Sequence, residues 1–167
     1  MKVTDYLKEE NNTYFSFEII PPIRGGSIDK IFSLVEELMK FEPPFIDLTS
    51  RSAEEYYQDD GSGNLVQHIR RKRPGTIGIS AAIKNKFNVE TVPHLLCSGF
   101  SKEETEDALI ELNYLGIKNV LALRGDELRK DRNEINSKIS NGYASDLVKQ
   151  IKNMNEGKYL EPLIDPT

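Results

Sequence analysis

Four polar groups stand in or just after short apolar runs of this sequence: Glu18, Thr49, His94 and the triplet Arg124-Gly125-Asp126. Glu18 makes the strongest demand, because it interrupts Tyr14-Phe15-Ser16-Phe17-Glu18-Ile19-Ile20 just before Pro21-Pro22. Burying an unpaired carboxylate costs several kcal/mol or more, so it must be paired, protonated, or at a strand end facing a pocket. An ion pair with a Lys or Arg elsewhere is the plain alternative; acid/base work is the functional one. Each of the others has an ordinary explanation too. Thr49 can end a strand in a turn, His94 can be a core histidine bonded to backbone, and Asp126 can cap its own turn. Gly125 either takes a backbone shape closed to other residues or lets a ligand approach. Cys97 fits a small buried hydrophobe, with nothing nearby in sequence to activate it.

The elements that must position these groups follow from apolar periodicity. Runs rich in β-formers alternate with helical stretches, the order expected of βα units on a parallel sheet. Strand one is expected over 14–20, strand two over 45–49, and the third main strand over 89–96, despite Pro93, with 77–83 as an extra extended segment. Strand four spans 119–123. A helix follows Ser27 with Ile28, Ile31, Phe32, Val35, Leu38 and Met39 on one face. A second is expected over 65–72, its last turn carrying the cations Arg70-Arg71-Lys72-Arg73. Ser101-Lys102-Glu103-Glu104 is a capping box for a third helix with Ala108, Leu109, Leu112 and Leu115 inward, ending at Gly116. The fourth carries Leu147, Val148, Ile151 and Met154 and stops at Gly157. A polar loop over 127–142 separates strand four from it, and loops of that length tend to be functional.

Four such units amount to half of a (β/α)8 TIM barrel, which usually takes about 250 residues; a four-stranded open sheet is the alternative. The expectation is a single partial-barrel domain over 1–167. In a parallel barrel the groups that act lie at the C-terminal strand ends, and Glu18, Thr49, His94 and Arg124-Gly125-Asp126 all fall there. Their convergence weighs more than any one of them. A half-barrel leaves its first and last strands as open edges, so pairing with a second copy or a complementary half is expected.

Composition narrows the partners. The 167 residues are 38% hydrophobic and 29% charged, ordinary for a folded domain. A formal net charge of -5 argues against a nucleic-acid partner, and no run approaches the roughly 20 apolar residues of a membrane helix. One cysteine and two histidines make a zinc site improbable, and with no apolar leader at the start the expected place is the cytoplasm.

Taken together, Phe15-Ser16-Phe17-Glu18 with Pro21-Pro22, Pro93-His94-Leu95 with Cys97, Leu123-Arg124-Gly125-Asp126, and Tyr143-Ala144-Ser145-Asp146-Leu147 resemble methylenetetrahydrofolate reductase in order and spacing. The joint match is specific and covers the N-terminal half of that family's barrel. The resemblance implies a TIM barrel holding FAD that reduces methylenetetrahydrofolate to methyltetrahydrofolate with NADH or NADPH, in one-carbon and methionine metabolism. It implies that Glu18 is the general acid, in an apolar surround that would raise a carboxyl pKa, and that Asp126 lies beside the flavin ring. It further implies that Thr49, His94, Leu123, Arg124, Gly125, Asp126, Tyr143 and Ala144 contact FAD, with Arg124 suited to its phosphates. Two departures stand out. Ser50-Arg51-Ser52 follows Thr49 where many members have Tyr-Gly or Tyr-His, and the half that supplies most folate contacts is absent from these residues. The other reading kept open is a non-catalytic half-barrel that needs its complement.

Overall fold

The computed structural model describes residues 2–9, 12–23, 25–51, 54–70, 73–125 and 140–161. Four strands form one parallel sheet: β1 (Phe17–Ile19), β2 (Phe45–Leu48), β5 (Glu90–Leu96) and β6 (Leu121–Leu123), adjacent in that order. Helices α2 (Ile28–Met39), α3 (Thr76–Phe87), α4 (Lys102–Tyr114) and α5 (Ala144–Asn155) follow the four strands in turn. A short helix α1 (Val3–Tyr6), which no sequence signal announced, precedes them. The class is mixed α/β with the parallel sheet that alternating periodicity demands.

Local chemistry fixes the helix starts. Ser27 accepts a hydrogen bond from the Asp29 amide at the head of α2. At α4 the Ser101 hydroxyl accepts from the Glu104 amide while the Glu104 carboxylate accepts from the Ser101 amide, the reciprocal capping box expected. Gly157 follows α5 at φ 74°, a left-handed shape that suits glycine. The core lies between one face of the sheet and the helices: Ile19, Ile46 and Leu48 pack with Ile31 and Val35 of α2 and Ile79 and Ile83 of α3. Fully burying each such side chain is worth about 1.5–3 kcal/mol, so this layer holds the strands in place.

Two expectations are corrected. The segment 77–83 is not extended but lies within α3. Its buried residues are Thr76, Ile79, Ser80 and Ile83, a helical i, i+3, i+4, i+7 stripe in which two of four members are polar. The Ile77-Gly78-Ile79 alternation imitates a strand. The segment 65–72 is not a helix: β4 (Leu65–Arg70) pairs antiparallel with β3 (Glu54–Asp59). Leu65 is 69% exposed, so the apolar spacing that looked helical has no core to face. Asp59-Asp60-Gly61-Ser62-Gly63-Asn64 supplies the turn instead. Gly61 and Gly63 both sit at φ 86°, and the Asp59 and Asp60 carboxylates accept from the amides of Gly61 and Ser62. With the helix goes the dipole role of the basic run: Arg73 donates to the Pro21 carbonyl, tying the hairpin's exit to the loop after β1, while Arg71 and Lys72 lie outside the described residues. Pro93 sits inside β5, opposite Leu48, in a strand paired on both sides. The preference for 89–96 as a main strand is borne out.

Candidate functional site

Strand alternation divides the sheet into two faces. Ile19, Ile46 and Leu48 point to the helices, and Thr91, in register with Ile46, donates its hydroxyl to the Ser80 carbonyl of α3. The other face therefore carries Glu18 and Asp47, which are partners in the β1–β2 register, then Val92, His94 and Leu96 of β5, and Leu121 and Leu123 of β6. Polar groups are gathered at the C-terminal strand ends.

There Thr49 donates its hydroxyl to Glu18 Oε1 at 2.5 Å, and its amide to the Ile19 carbonyl continues the β1–β2 ladder by one residue. Glu18 is exposed, so the apolar surround expected of it is absent. The carboxyl that burial acts on is its neighbour. Burial pushes Asp47 above the usual carboxylate range, and the charge of Glu18 adds to the push; His94 and the Ser16 hydroxyl oppose it. His94 is 4% exposed, and its Nε2 lies 4.0 Å from Asp47 Oδ1, beyond hydrogen-bonding distance. That nitrogen is buried without a hydrogen-bond partner among the described residues. His94 lines a cavity of about 570 Å³ together with Thr49, Arg51, Arg73, Thr76 and Phe100. The volume falls in the range of small-molecule sites.

A second cluster continues the same end of the sheet. The Cys97 and Ser98 amides donate to the carbonyls of Leu123 and Arg124, carrying the β5–β6 pairing into the loop. Gly125 sits at φ 83°, a left-handed shape that accounts for glycine there. The Arg124 guanidinium lies 5.1 Å from the centre of the Tyr143 ring, so the group after β6 meets the start of α5, whose first residue is Ala144. Cys97 is buried, and burial holds its thiol above the usual range, with Asp146 adding to the shift and Arg124 opposing it. It packs as the small hydrophobe expected. Asp126 lies outside the described residues.

Glu18, Thr49 and His94 are thus brought to one place, and Leu123, Arg124, Gly125, Tyr143 and Ala144 to a second place beside it. Sequence reasoning missed Asp47. The signal was the one that singled out Glu18, a carboxylate inside the apolar run Phe45-Ile46-Asp47-Leu48. Arg51 and Arg73 were also missed as cavity-lining groups, because the hairpin that separates them was not foreseen.

The family model described as methylenetetrahydrofolate reductase matches residues 2–163. The chain belongs to the methylenetetrahydrofolate reductase family. It is 33% identical over 129 residues to methylenetetrahydrofolate reductase (NADH) 1 of Arabidopsis thaliana, a match covering 75% of this chain and 19% of that protein. With methylenetetrahydrofolate reductase 1 of Schizosaccharomyces pombe it shares 31% identity over 157 residues, 91% of this chain and 23% of the relative. With 5,10-methylenetetrahydrofolate reductase of Pectobacterium carotovorum it shares 27% over 141 residues, 84% of this chain and 40% of the relative. The chain therefore spans a fifth to two fifths of the length of these reductases, and the motif resemblance is borne out at the level of the family. Among the described residues no helix is long and apolar enough to cross a membrane.

Proposed function

We propose that this chain forms the N-terminal half of a (β/α)8 barrel in a FAD-dependent enzyme that reduces methylenetetrahydrofolate to methyltetrahydrofolate, with NADH or NADPH as donor. The observation that carries the reading is the cluster at the strand ends, in which Thr49 orients the Glu18 carboxyl. Glu18 delivers a proton to a folate nitrogen as the C–N bond of the methylene bridge breaks and the positive charge passes to the iminium. Asp126, the third residue after β6 in the sequence, would set a negative charge beside the flavin, favouring that cation.

FAD, when bound, supplies the two-electron relay between nicotinamide and folate. The residues fit such a group. His94, whose Nε2 is buried without a hydrogen-bond partner among the described residues, lines the cavity, Gly125 carries no side chain to obstruct a ligand, and Arg124 carries a guanidinium fork suited to phosphate. Thr49, Leu123, Tyr143 and Ala144 would complete the contacts from this half.

The test is Glu18→Gln in the full-length enzyme carrying this sequence. Folate reduction should fall by about 10²–10⁴-fold while oxidation of NAD(P)H through the flavin persists. Equal loss of both half-reactions would overturn the role of Glu18.

A second reading is favoured by the sheet order, in which β1 and β6 are the two edges among the described residues, with Leu121 of β6 40% exposed. In that reading the 167 residues alone form a non-catalytic half-barrel that needs a second copy or a complementary half. Adding FAD to the purified chain separates the two. A bound-flavin absorption spectrum supports a half-barrel already able to hold the cofactor; a protein that stays colourless supports the incomplete module.

A further inference from the structure

We propose that Gln150 is a positioning residue for the cofactor site: its buried amide pins the loop that enters α5 and so holds Tyr143 against Arg124, two of the FAD contacts proposed above. The inference rests on that proposed function for its meaning in the reaction, and on the hydrogen bonds of Gln150 for its physical content.

The buried residues of α5 are Leu147 and Gln150, one turn apart on the same face. A side-chain amide buried in a helix costs free energy unless its oxygen and its nitrogen both find partners. Both do. Gln150 Oε1 accepts from Asn141 Nδ2 at 2.7 Å, and Gln150 Nε2 donates to the Lys102 carbonyl at 2.8 Å. Asn141 is itself buried, so the bond between the two side chains is shielded from water. One side chain thereby joins three pieces of backbone: α5, the first residue of α4, and the loop two residues before Tyr143. A leucine would fill that helix face without needing partners, but it could hold neither of these.

The loop matters because of what it carries. The Tyr143 amide donates to Asp146 Oδ2 at 2.9 Å, so Asp146 fixes where the helix begins, and Gln150, one turn further on, fixes how the chain arrives there. Tyr143 is 63% exposed, so its ring has little packing of its own and its place follows from the backbone that bears it. The Arg124 guanidinium lies 5.1 Å from the centre of that ring. Contact with a ring narrows where a guanidinium can lie and leaves its N–H fork to a phosphate. The dependence runs from Gln150 through Asn141 to Tyr143, and from the Tyr143 ring to Arg124.

The test reads Arg124 directly, in this chain without ligand. The Tyr143 ring shifts the NMR signals of the Arg124 side-chain protons, and Tyr143→Leu gives their positions with the ring gone. Asn141→Ala and Gln150→Met should each move these signals toward that reference. Gln150→Glu should leave them in place, because a glutamate keeps an oxygen for Asn141 Nδ2 in either protonation state. Asn141→Ala spares the Gln150 bond to α4, so it decides the matter even if Gln150→Met does not fold. Signals that stay put in Asn141→Ala, whatever happens to the urea midpoint, would make Gln150 a packing tie between α4 and α5 and overturn the proposal. Equal movement in Gln150→Glu would overturn it too. In the full-length enzyme carrying this sequence, the FAD dissociation constant should rise about tenfold in Asn141→Ala and in Gln150→Met, the loss expected from one buried hydrogen bond, and hold within about twofold in Gln150→Glu. An unchanged affinity in Asn141→Ala would count against the proposal as decisively as unmoved Arg124 signals. Should the full-length wild type bind no FAD, the function proposed above fails, while the Arg124 signals still decide whether Gln150 places the pair.

Discussion

The chain holds two pairs of acids solved in opposite ways. Asp59 and Asp60 open the hairpin turn, and every partner they have in it lies within five residues: the amides of Gly61 and Gly63 for Asp59, those of Ser62 and Asn64 for Asp60. The Ser62 amide, first among these contacts, holds the Asp60 carboxyl below its ordinary range. Glu18 and Asp47 lie 29 positions apart in the numbering and meet only because β1 and β2 pair in one register. Side-chain hydroxyls serve them, that of Thr49 for Glu18 and that of Ser16 for Asp47, and burial raises Asp47. Acids placed by a turn are satisfied by the turn. Acids placed by a sheet depend on whatever groups the pairing brings near them, and a half-buried carboxyl of that kind is the sort of group at which a functional site is sought.

The contrast breaks if the hairpin proves as deeply anchored as the sheet. Leu48, fully buried in β2, belongs to the core, whereas Val66 of β4 is exposed. Leu48→Ala should cost about 2–5 kcal/mol, and Val66→Ala should stay within about 0.5 kcal/mol, both measured by urea denaturation. Comparable losses would mean that the hairpin is part of the cooperative core. A smaller effect tests the turn itself. Gly61 sits at φ 86° with open space where a Cβ would go, so Gly61→Ala pays only for backbone strain, about 1–2 kcal/mol. Hydrogen exchange should show that loss within β3 and β4 and leave β2 and β5 as protected as before.

How much was legible follows the same division. The capped helices α2 and α4, and α5 with its glycine stop, were plain from sequence, because caps and apolar stripes are local signals and the structure keeps them. The four parallel strands were expected in chain order, the third by preference for 89–96 over 77–83 despite Pro93, and the sheet has that order. Helix α3 was missed because Thr76 and Ser80 fill half of its buried stripe, and only packing against the sheet makes those positions core. Strand β4 was missed because Leu65, Val66 and Ile69 have helical spacing, while the pairing that decided the matter came from the Asp-Gly turn before them. In the site, Glu18 was legible from its apolar run and Thr49 and His94 from strand ends. Asp47 carries the same signal as Glu18, yet its meaning comes from a register that no single strand encodes. Strand-end position singled out Asp126 as well, but a flavin set and a role for Asp126 beside it come only from the motif resemblance, not from composition or spacing.

The smallest expected effect is a slope, and it sharpens the comparison because Asp47 and Asp60 should slope on opposite sides of one pH. Asp47 has an ordinary value of 3.8 that folding raises. Such a group favours the folded state fully below 3.8, and that contribution is lost as pH rises through the raised value. Asp60 has the same ordinary value, and folding lowers it. Its contribution is present above 3.8 and is lost as pH falls through the lowered value. Asp47→Asn should therefore gain stability relative to wild type as pH climbs above 3.8, while Asp60→Asn should show a deficit that is constant there and shrinks only below it. Urea midpoints of the two variants and the wild type, followed from pH 3 to 7, measure both. If Asp47→Asn instead lost ground as pH rose, Asp47 would be ionised and paired in the folded state, the His94 contact would outweigh burial, and the two acid pairs would differ in location but not in kind.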